Sequence, residues 1–162
     1  MRMKASIIIP SYNASERLYL NLQSLNRLEY YRGDFEVIVI DNDSSDGTSE
    51  MLSNVTTNFE FNICNLNKNM GRAFARNYGV KEAKGEIIIF LDSDMIVEKS
   101  FLFRHIEAHK ACNTAVCGQS WSRVYSFYYE EFKGYLIRNL SKQLAAKGIY
   151  KIDELINGQA LI

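Results

Sequence analysis

The sequence predicts an α/β protein with a mostly parallel central sheet flanked by helices. Three observations carry that reading. Short β-branched runs alternate with segments of helical periodicity, and such alternation builds a parallel sheet wrapped by helices. Right-handed crossovers put the C-terminal ends of the strands on one edge, and oxygen-rich loops follow three of the four expected strands. The last strand, Ile87-Ile88-Ile89-Phe90-Leu91, is expected to be buried and leads straight into Asp92-Ser93-Asp94.

The elements follow in order. The apolar run 5–9 is closed by Pro10, the only proline, and reads as a buried strand and then a turn. Asn13 and Glu16 have capping-box spacing, and Leu18, Leu22 and Leu25 form the stripe of the helix behind them. A second strand over 35–40 enters Asp41-Asn42-Asp43-Ser44-Ser45-Asp46-Gly47-Thr48, a turn and helix start. A short helix over 49–54, a third strand over 59–66 and a loop over 67–71 come next. A helix over 72–83 stops near Gly85, and the fourth strand covers 86–91. Farther on, 101–111 reads as helix, 114–118 as extended and 127–146 as largely helical. No repeat, low-complexity tract or linker interrupts the 162 residues, which are expected to form one domain.

Composition narrows the function. Nineteen basic residues balance nineteen acidic ones, so no global charge argues for nucleic acid or an anionic membrane. Any anionic ligand must be held by local groups. The apolar runs are far shorter than a membrane span, and no leader is expected before the first strand. Cys64, Cys112 and Cys117 are odd in number and lack zinc spacing. They are expected to be reduced thiols in a cytoplasmic protein, with Cys112 and Cys117 packing as small apolar residues.

The loops carry the chemistry. Two carboxylates at i and i+2 on an extended segment share one side, and open α/β sheets bind ligands beyond their strand C-termini. Asp92 and Asp94 therefore need a cation, a proton or a hydroxyl-rich ligand between them. Mg²⁺ or Mn²⁺ bridging a diphosphate meets that need, while turn or cap chemistry is the plain alternative. Tyr12 can stack on a base or merely cover the sheet edge. Asp41 can accept from a base N–H, and Asp43 can hold ribose hydroxyls or orient its neighbours. At least one of Asp43, Ser44 and Asp46 is expected only to cap. Gly71 allows close backbone approach. Arg72 and Arg76 share a helix face near its N-terminus, where they can meet phosphates, although Arg72 reads better as solvated or ion-paired. His105 and His109 lack the H-E-x-x-H pattern and are expected to pack or face solvent. Trp121 and the Tyr125, Phe127, Tyr128 and Tyr129 cluster suit either a sugar platform or the core, and core is preferred.

Taken together, these residues resemble a family 2 glycosyltransferase with the Rossmann-like GT-A fold. The resemblance rests on Ser6-Ile7-Ile8-Ile9-Pro10-Ser11-Tyr12-Asn13, on 37–48 with its Asp41-Asn42-Asp43 core, on Asn69-Met70-Gly71 with Ala75-Arg76-Asn77-Tyr78-Gly79, and on Ala83-Lys84-Gly85-Glu86 leading to Asp92-Ser93-Asp94. It covers roughly the first hundred residues, with the motifs in order. It implies a nucleotide-sugar donor, most often a UDP-sugar. Pro10, Tyr12 and Asp41 would hold the base, and Asp43 and Asp92 would lie near the ribose or the sugar. Asn13, Gly71, Arg76 and Ser93 complete the implied donor set. Asp94, with Asp92, would ligate Mn²⁺ or Mg²⁺ beside the diphosphate. Transfer would be inverting, with a carboxylate base taking the acceptor proton.

The chain departs from the family pattern after 100. The acidic motif that normally supplies the base is not found, and Asp153-Glu154 comes too early and in a different context. The base is therefore expected beyond Ile162, with the chain as the donor-binding portion of a longer transferase whose C-terminal part is missing. Glu130 and Glu131 are the fallback candidates. Self-association through an exposed apolar surface and attachment to the inner face of a membrane through further regions are compatible with this. Two other readings compete. One is a non-catalytic nucleotide-sugar-binding or assembly module, suited to a chain without a base. The other is a sugar-phosphate nucleotidyltransferase, which needs a Gly-rich loop where Pro10-Ser11-Tyr12-Asn13 stands. The absence of G-x-G-x-x-G disfavours a dinucleotide-binding domain. The sugar and the acceptor are not legible.

Overall fold

A computed structural model describes residues 3–30, 34–111 and 115–117. Its elements are β1 (Ala5–Ser11), α1 (Ser15–Leu25), β2 (Phe35–Asp41), α2 (Thr48–Asn54), β3 (Glu60–Asn65), α3 (Arg72–Glu82), β4 (Ile87–Phe90) and α4 (Phe101–Ala111). The four strands form one parallel sheet in the order β3-β2-β1-β4. These elements belong to one compact unit, Met1–Cys117. The expected helix over 127–146, the aromatic cluster with Trp121, and Cys112 lie outside the described residues. Of the segment expected to be extended, only Ala115–Cys117 is described, and it has no regular structure.

β1 and β2 are buried at every position, because helices cover both faces of a parallel sheet. Alternation along the strand divides the core. Ile7, Ile9, Val37 and Val39 pack with Leu18 and Leu22 of α1, Leu52 of α2 and Leu102 of α4. Ile8, Ile38 and Ile40 pack on the other face with Ala75 of α3. The crossovers explain this split. Connections to β2 and then β3 step one way along the sheet, whereas the connection to β4 steps back past β1, so a right-handed crossover puts α3 on the opposite face. The strand order thus reverses beside β1, and the crevice at that switch point opens at the C-terminal ends of β1 and β4.

Three sequence expectations are corrected. The first strand does not close at Pro10 but runs on to Ser11. The Leu91 amide donates to the Ile8 carbonyl, so Ile8, and Pro10 two residues on, turn their main-chain groups toward β4. Pairing with β4 ends at Ile8–Phe90, so the missing proline N–H forfeits no bond in that ladder. β4 is only partly buried, with Phe90 exposed, rather than a fully covered strand. Finally, Asn13 and Glu16 form no capping box: α1 starts at Ser15 behind Ala14 with no side-chain cap of its own. Burial of Leu18, Leu22 and Leu25, each worth about 1.5–3 kcal/mol, outweighs the roughly 1 kcal/mol of a cap.

The end of the sheet opposite the crevice is tied by Glu36, which has no exposed surface. Its carboxylate accepts from the Ser6 hydroxyl at 2.7 Å, the Lys84 amide at 2.7 Å and the Asn62 side-chain amide at 2.9 Å. Ser6 Oγ in turn accepts from the Gly85 amide at 2.8 Å. A Cβ on Gly85 would stand 2.4 Å from main-chain atoms of Ala5 and Ser6. Farther along the same face of the sheet, a Cβ on Gly79 of α3 would meet the Ile8 Cγ2 methyl, also at 2.4 Å. Small residues at 75 and 79 are what let α3 lie close on β1.

A side chain can yield where a strand backbone cannot. Gly85→Ala is therefore expected to destabilise the protein more than Gly79→Ala, whose clash, typically about 1–3 kcal/mol, is offset by about 1 kcal/mol of helix propensity. Urea unfolding midpoints of the two variants check this, and equal midpoints would contradict it.

Candidate functional site

The loops after β1, β2 and β4 meet at the C-terminal edge of the sheet. Their starting points are fixed by register, with Ser11 opposite Asp41 and Ile8 opposite Phe90. Side chains then knit the loops together. Asn13 takes a left-handed backbone, φ 47°, which asparagine tolerates better than most residues. Its amide donates to Ser44 Oγ at 2.9 Å, and its Oδ1 accepts from the Ser45 amide at 2.8 Å. The Ser44 hydroxyl donates to Asp41 Oδ1, so the buried Asp41 carboxylate is held from above. Asp43, exposed and with φ 67°, turns the chain between them. Tyr12 stands half exposed, 49%, at the lip of this edge.

Asp46 caps twice. Its Oδ2 accepts from the Ser15 amide at 3.0 Å, and its Oδ1 accepts from the Thr48 amide and hydroxyl. It thereby caps the first turn of α1 and that of α2. Partial burial pushes the Asp46 carboxyl up, but hydrogen bonds from Ser15 and Thr48 outweigh it and hold it below the usual range. Of the three residues expected to include a pure capper, Asp46 is the one whose contacts are all of that kind.

The loop over 66–71 is anchored by a residue that sequence reasoning passed over. Asn42, buried between two aspartates, donates from Nδ2 to Asn69 Oδ1 at 2.8 Å and accepts the Met70 amide at 2.9 Å. Asn69 Oδ1 also accepts the Gly71 amide at 3.0 Å. Gly71 itself has φ 84° and precedes α3, a turn that glycine makes without strain. The clue in the sequence was an asparagine at the strand end, where two flanking carboxylates drew the attention.

Asp92-Ser93-Asp94 is not on an extended segment, which is a further correction. β4 ends at Phe90, and the Met95 amide donates to the Asp92 carbonyl at 3.1 Å, closing a turn over 92–95. Strand alternation therefore does not set the directions of the two carboxylates. Asp92 Oδ1 pairs with Arg76 Nη2 at 2.6 Å, so Arg76 stands at this edge as the counter-ion of Asp92. Asp94 is exposed and has no protein partner among the described residues. Arg72 is exposed, as expected. His105 packs against the Phe101 ring, and burial, then His109, lowers its pKa. His109 Nδ1 lies 2.8 Å from the His105 carbonyl. Cys117 is exposed rather than packed.

The carboxylates suit a small divalent cation only in one way. No cluster of three or more His, Cys, Asp or Glu side chains that could hold a metal occurs among the described residues. Mg²⁺ and Mn²⁺ favour one or two carboxylates completed by waters and phosphate oxygens. Asp94, with Asp92 beside it in the turn, matches that partial ligand set.

A sequence model of glycosyl transferase family 2 matches residues 6–156. The chain belongs to that family. It is 48% identical over 132 residues to the uncharacterized glycosyltransferase YfnE of Bacillus subtilis, covering 81% of this chain and 33% of that protein. The fold is similar to the crystal structure of Staphylococcus aureus TarS 1–349 in complex with UDP-GlcNAc, with TM-score 0.64 and 27% identity over 73% of this chain and 38% of that one. It is also similar to the mannosyltransferase PcManGT from Pyrobaculum calidifontis in complex with GDP-Man and Mn²⁺, with TM-score 0.58 and 25% identity over 63% of this chain and 31% of that one. The parallel sheet with flanking helices is thus a GT-A fold. The chain spans about a third of each of these relatives. No helix among the described residues is long and apolar enough to cross a membrane.

The double cap gives a pH-dependent expectation. The folded pKa of Asp46 lies below its unfolded value, so its contribution to stability is present above the ordinary carboxylate range and fades as pH falls through the lower folded value. Asp46→Ala is expected to lower stability by about 1–2 kcal/mol at pH 7, with a gap from the wild type that narrows as pH falls through and below the ordinary carboxylate range. Urea midpoints across pH 2–8 check both.

Proposed function

We propose that this chain is the donor half of an inverting, metal-dependent glycosyltransferase that uses a UDP-sugar. One observation supports this above the others: Tyr12, Asp41, Asp43 and Asp92-Ser93-Asp94, from three separate loops, converge on the sheet edge at the switch point. A similar fold carries UDP-GlcNAc in TarS, and another carries GDP-Man with Mn²⁺.

In this reading Tyr12 stacks on the base and the Asp41 carboxylate, oriented by Ser44, accepts its N–H. Pro10 stiffens the strand end beneath it. Asp43 faces the ribose, with Asn13 holding the loop. Gly71 lets the backbone approach the donor, and Ser93 lies between the two acidic residues. Asp94, with Asp92, holds Mn²⁺ or Mg²⁺, which when bound offsets charge on the departing diphosphate. Arg76 keeps Asp92 paired until the donor arrives and then meets the same negative charge. The acceptor hydroxyl oxygen bonds to the anomeric carbon as the bond from that carbon to the diphosphate breaks. The hydroxyl proton needs a separate base, since Asp92 and Asp94 are both committed to the cation. Glu130, Glu131, Asp153 and Glu154 lie outside the described residues.

The test is calorimetric titration of UDP into the 162-residue chain with Mn²⁺ and with a chelator, for wild type and Asp94→Ala. Mn²⁺-supported binding by the wild type is expected, weakened by about tenfold or more in the variant. Absence of UDP binding by the wild type in both conditions would overturn the reading.

A further inference from the structure

Asn21 is a polar residue in the apolar stripe of α1. It lies between Leu18 and Leu22 with no exposed surface. Its Nδ2 donates to the Met95 carbonyl at 2.6 Å and to the Asp92 carbonyl at 3.2 Å. Those carbonyls belong to the first and last residues of the turn that carries Asp92 and Asp94. One amide group therefore spans the turn from below. Its Oδ1 is buried and has no partner among the described residues. An apolar side chain would continue the stripe but would leave the Met95 and Asp92 carbonyls without this donor, so the amide ties the helix to the turn.

Neighbouring groups on the same helix extend the hold. Ser24, one turn on, accepts the Val97 amide on Oγ at 3.2 Å and donates its hydroxyl to the Asn21 carbonyl at 2.7 Å. Past the end of α1, the Glu29 amide donates to the Lys99 carbonyl at 3.1 Å. The segment after β4 is therefore fastened at Asp92, Met95, Val97 and Lys99, and of these α1-side contacts only those of Asn21 reach the main chain of the turn.

We infer that Asn21 is a positioning residue that fixes the Asp92–Met95 turn so that Asp94 can take a divalent cation with the diphosphate. The inference rests on the donor-site reading above. Asn21 touches neither ligand in this role. It acts through the backbone of the turn, as outer-shell groups do at metal sites.

The test measures UDP affinity with Mn²⁺ and with a chelator for the wild type, Asn21→Leu and Asn26→Ala, with thermal midpoints for all three. Asn26, at the other end of the helix segment, anchors residues 56–58 through Thr56 and Asn58 and serves as the control for loss of loop-fastening bonds. Asn21→Leu is expected to lose about tenfold or more of the Mn²⁺-supported affinity while its metal-free affinity stays at the wild-type level. Asn26→Ala is expected to change neither. If the leucine variant does not fold, Asn21→Ser, which can serve only one of the two carbonyls, should move the same ratio in the same direction. An unchanged ratio in the variant, or equal losses with and without Mn²⁺, would overturn the role of Asn21 alone. A wild type whose UDP binding ignores Mn²⁺ would overturn the metal-dependent donor site and this role with it.

Discussion

The buried carboxylate of Glu36 is the constraint on which the arrangement of this sheet depends. Three donors from β1, β3 and the α3–β4 turn converge on it, and none of those segments is adjacent in sequence to another. A carboxylate taken out of water is tolerated only when its oxygens are fully bonded, and removing one partner of such a group typically costs about 3–5 kcal/mol. The arrangement therefore accepts one register. β4 must enter beside Ser6, with Gly85 pressed on the β1 backbone, or the carboxylate loses its partners.

That fixed end lets the other end be built of loops. Each strand of the trio β2-β1-β4 delivers its C-terminus at a height set by the ladder, and the loops then bind one another through asparagine and serine side chains rather than through packing. The Asn42 amide donates and accepts at once, and the Asn13 and Asn69 side-chain oxygens accept main-chain amides, so the loops are joined across gaps where no strand pairing is possible. Of the carboxylates in the turn after β4, Asp94 is left without a partner among the described residues and Asp92 with one arginine.

Much of this was legible in the sequence. The four strands, four helices and parallel order follow from alternating β-branched and helical segments, and the edge loops follow from right-handed crossovers. The family motifs also find physical explanations: Gly85 is required by backbone contact, and Ala75 and Gly79 by the close seat of α3 on Ile8. What sequence reasoning missed was long-range polar bonding. The local rule linked Asn13 to Glu16, whereas Asn13 bonds a loop thirty residues away. Pro10 suggested a stop because local rules do not reveal which edge of β1 is unpaired. The D-x-D pair suggested an extended segment because the apolar run gives no sign that pairing ends at Phe90. Asn21 drew no notice beside the leucine stripe, because its partners lie over seventy residues on.

The shared cap at Asp46 has a consequence for the order in which the molecule is made. The N-terminal amides of α1 are met by side chains that follow them by more than thirty residues. During synthesis α1 leaves the ribosome well before Asp46 and Thr48 do, and an isolated eleven-residue helix without a cap is marginal in water. The helix is completed only when β2 has docked and the next loop closes over it. The first turns of α1 and α2 are thus capped in one event, and the loops after β1 and β2 are fastened together with them.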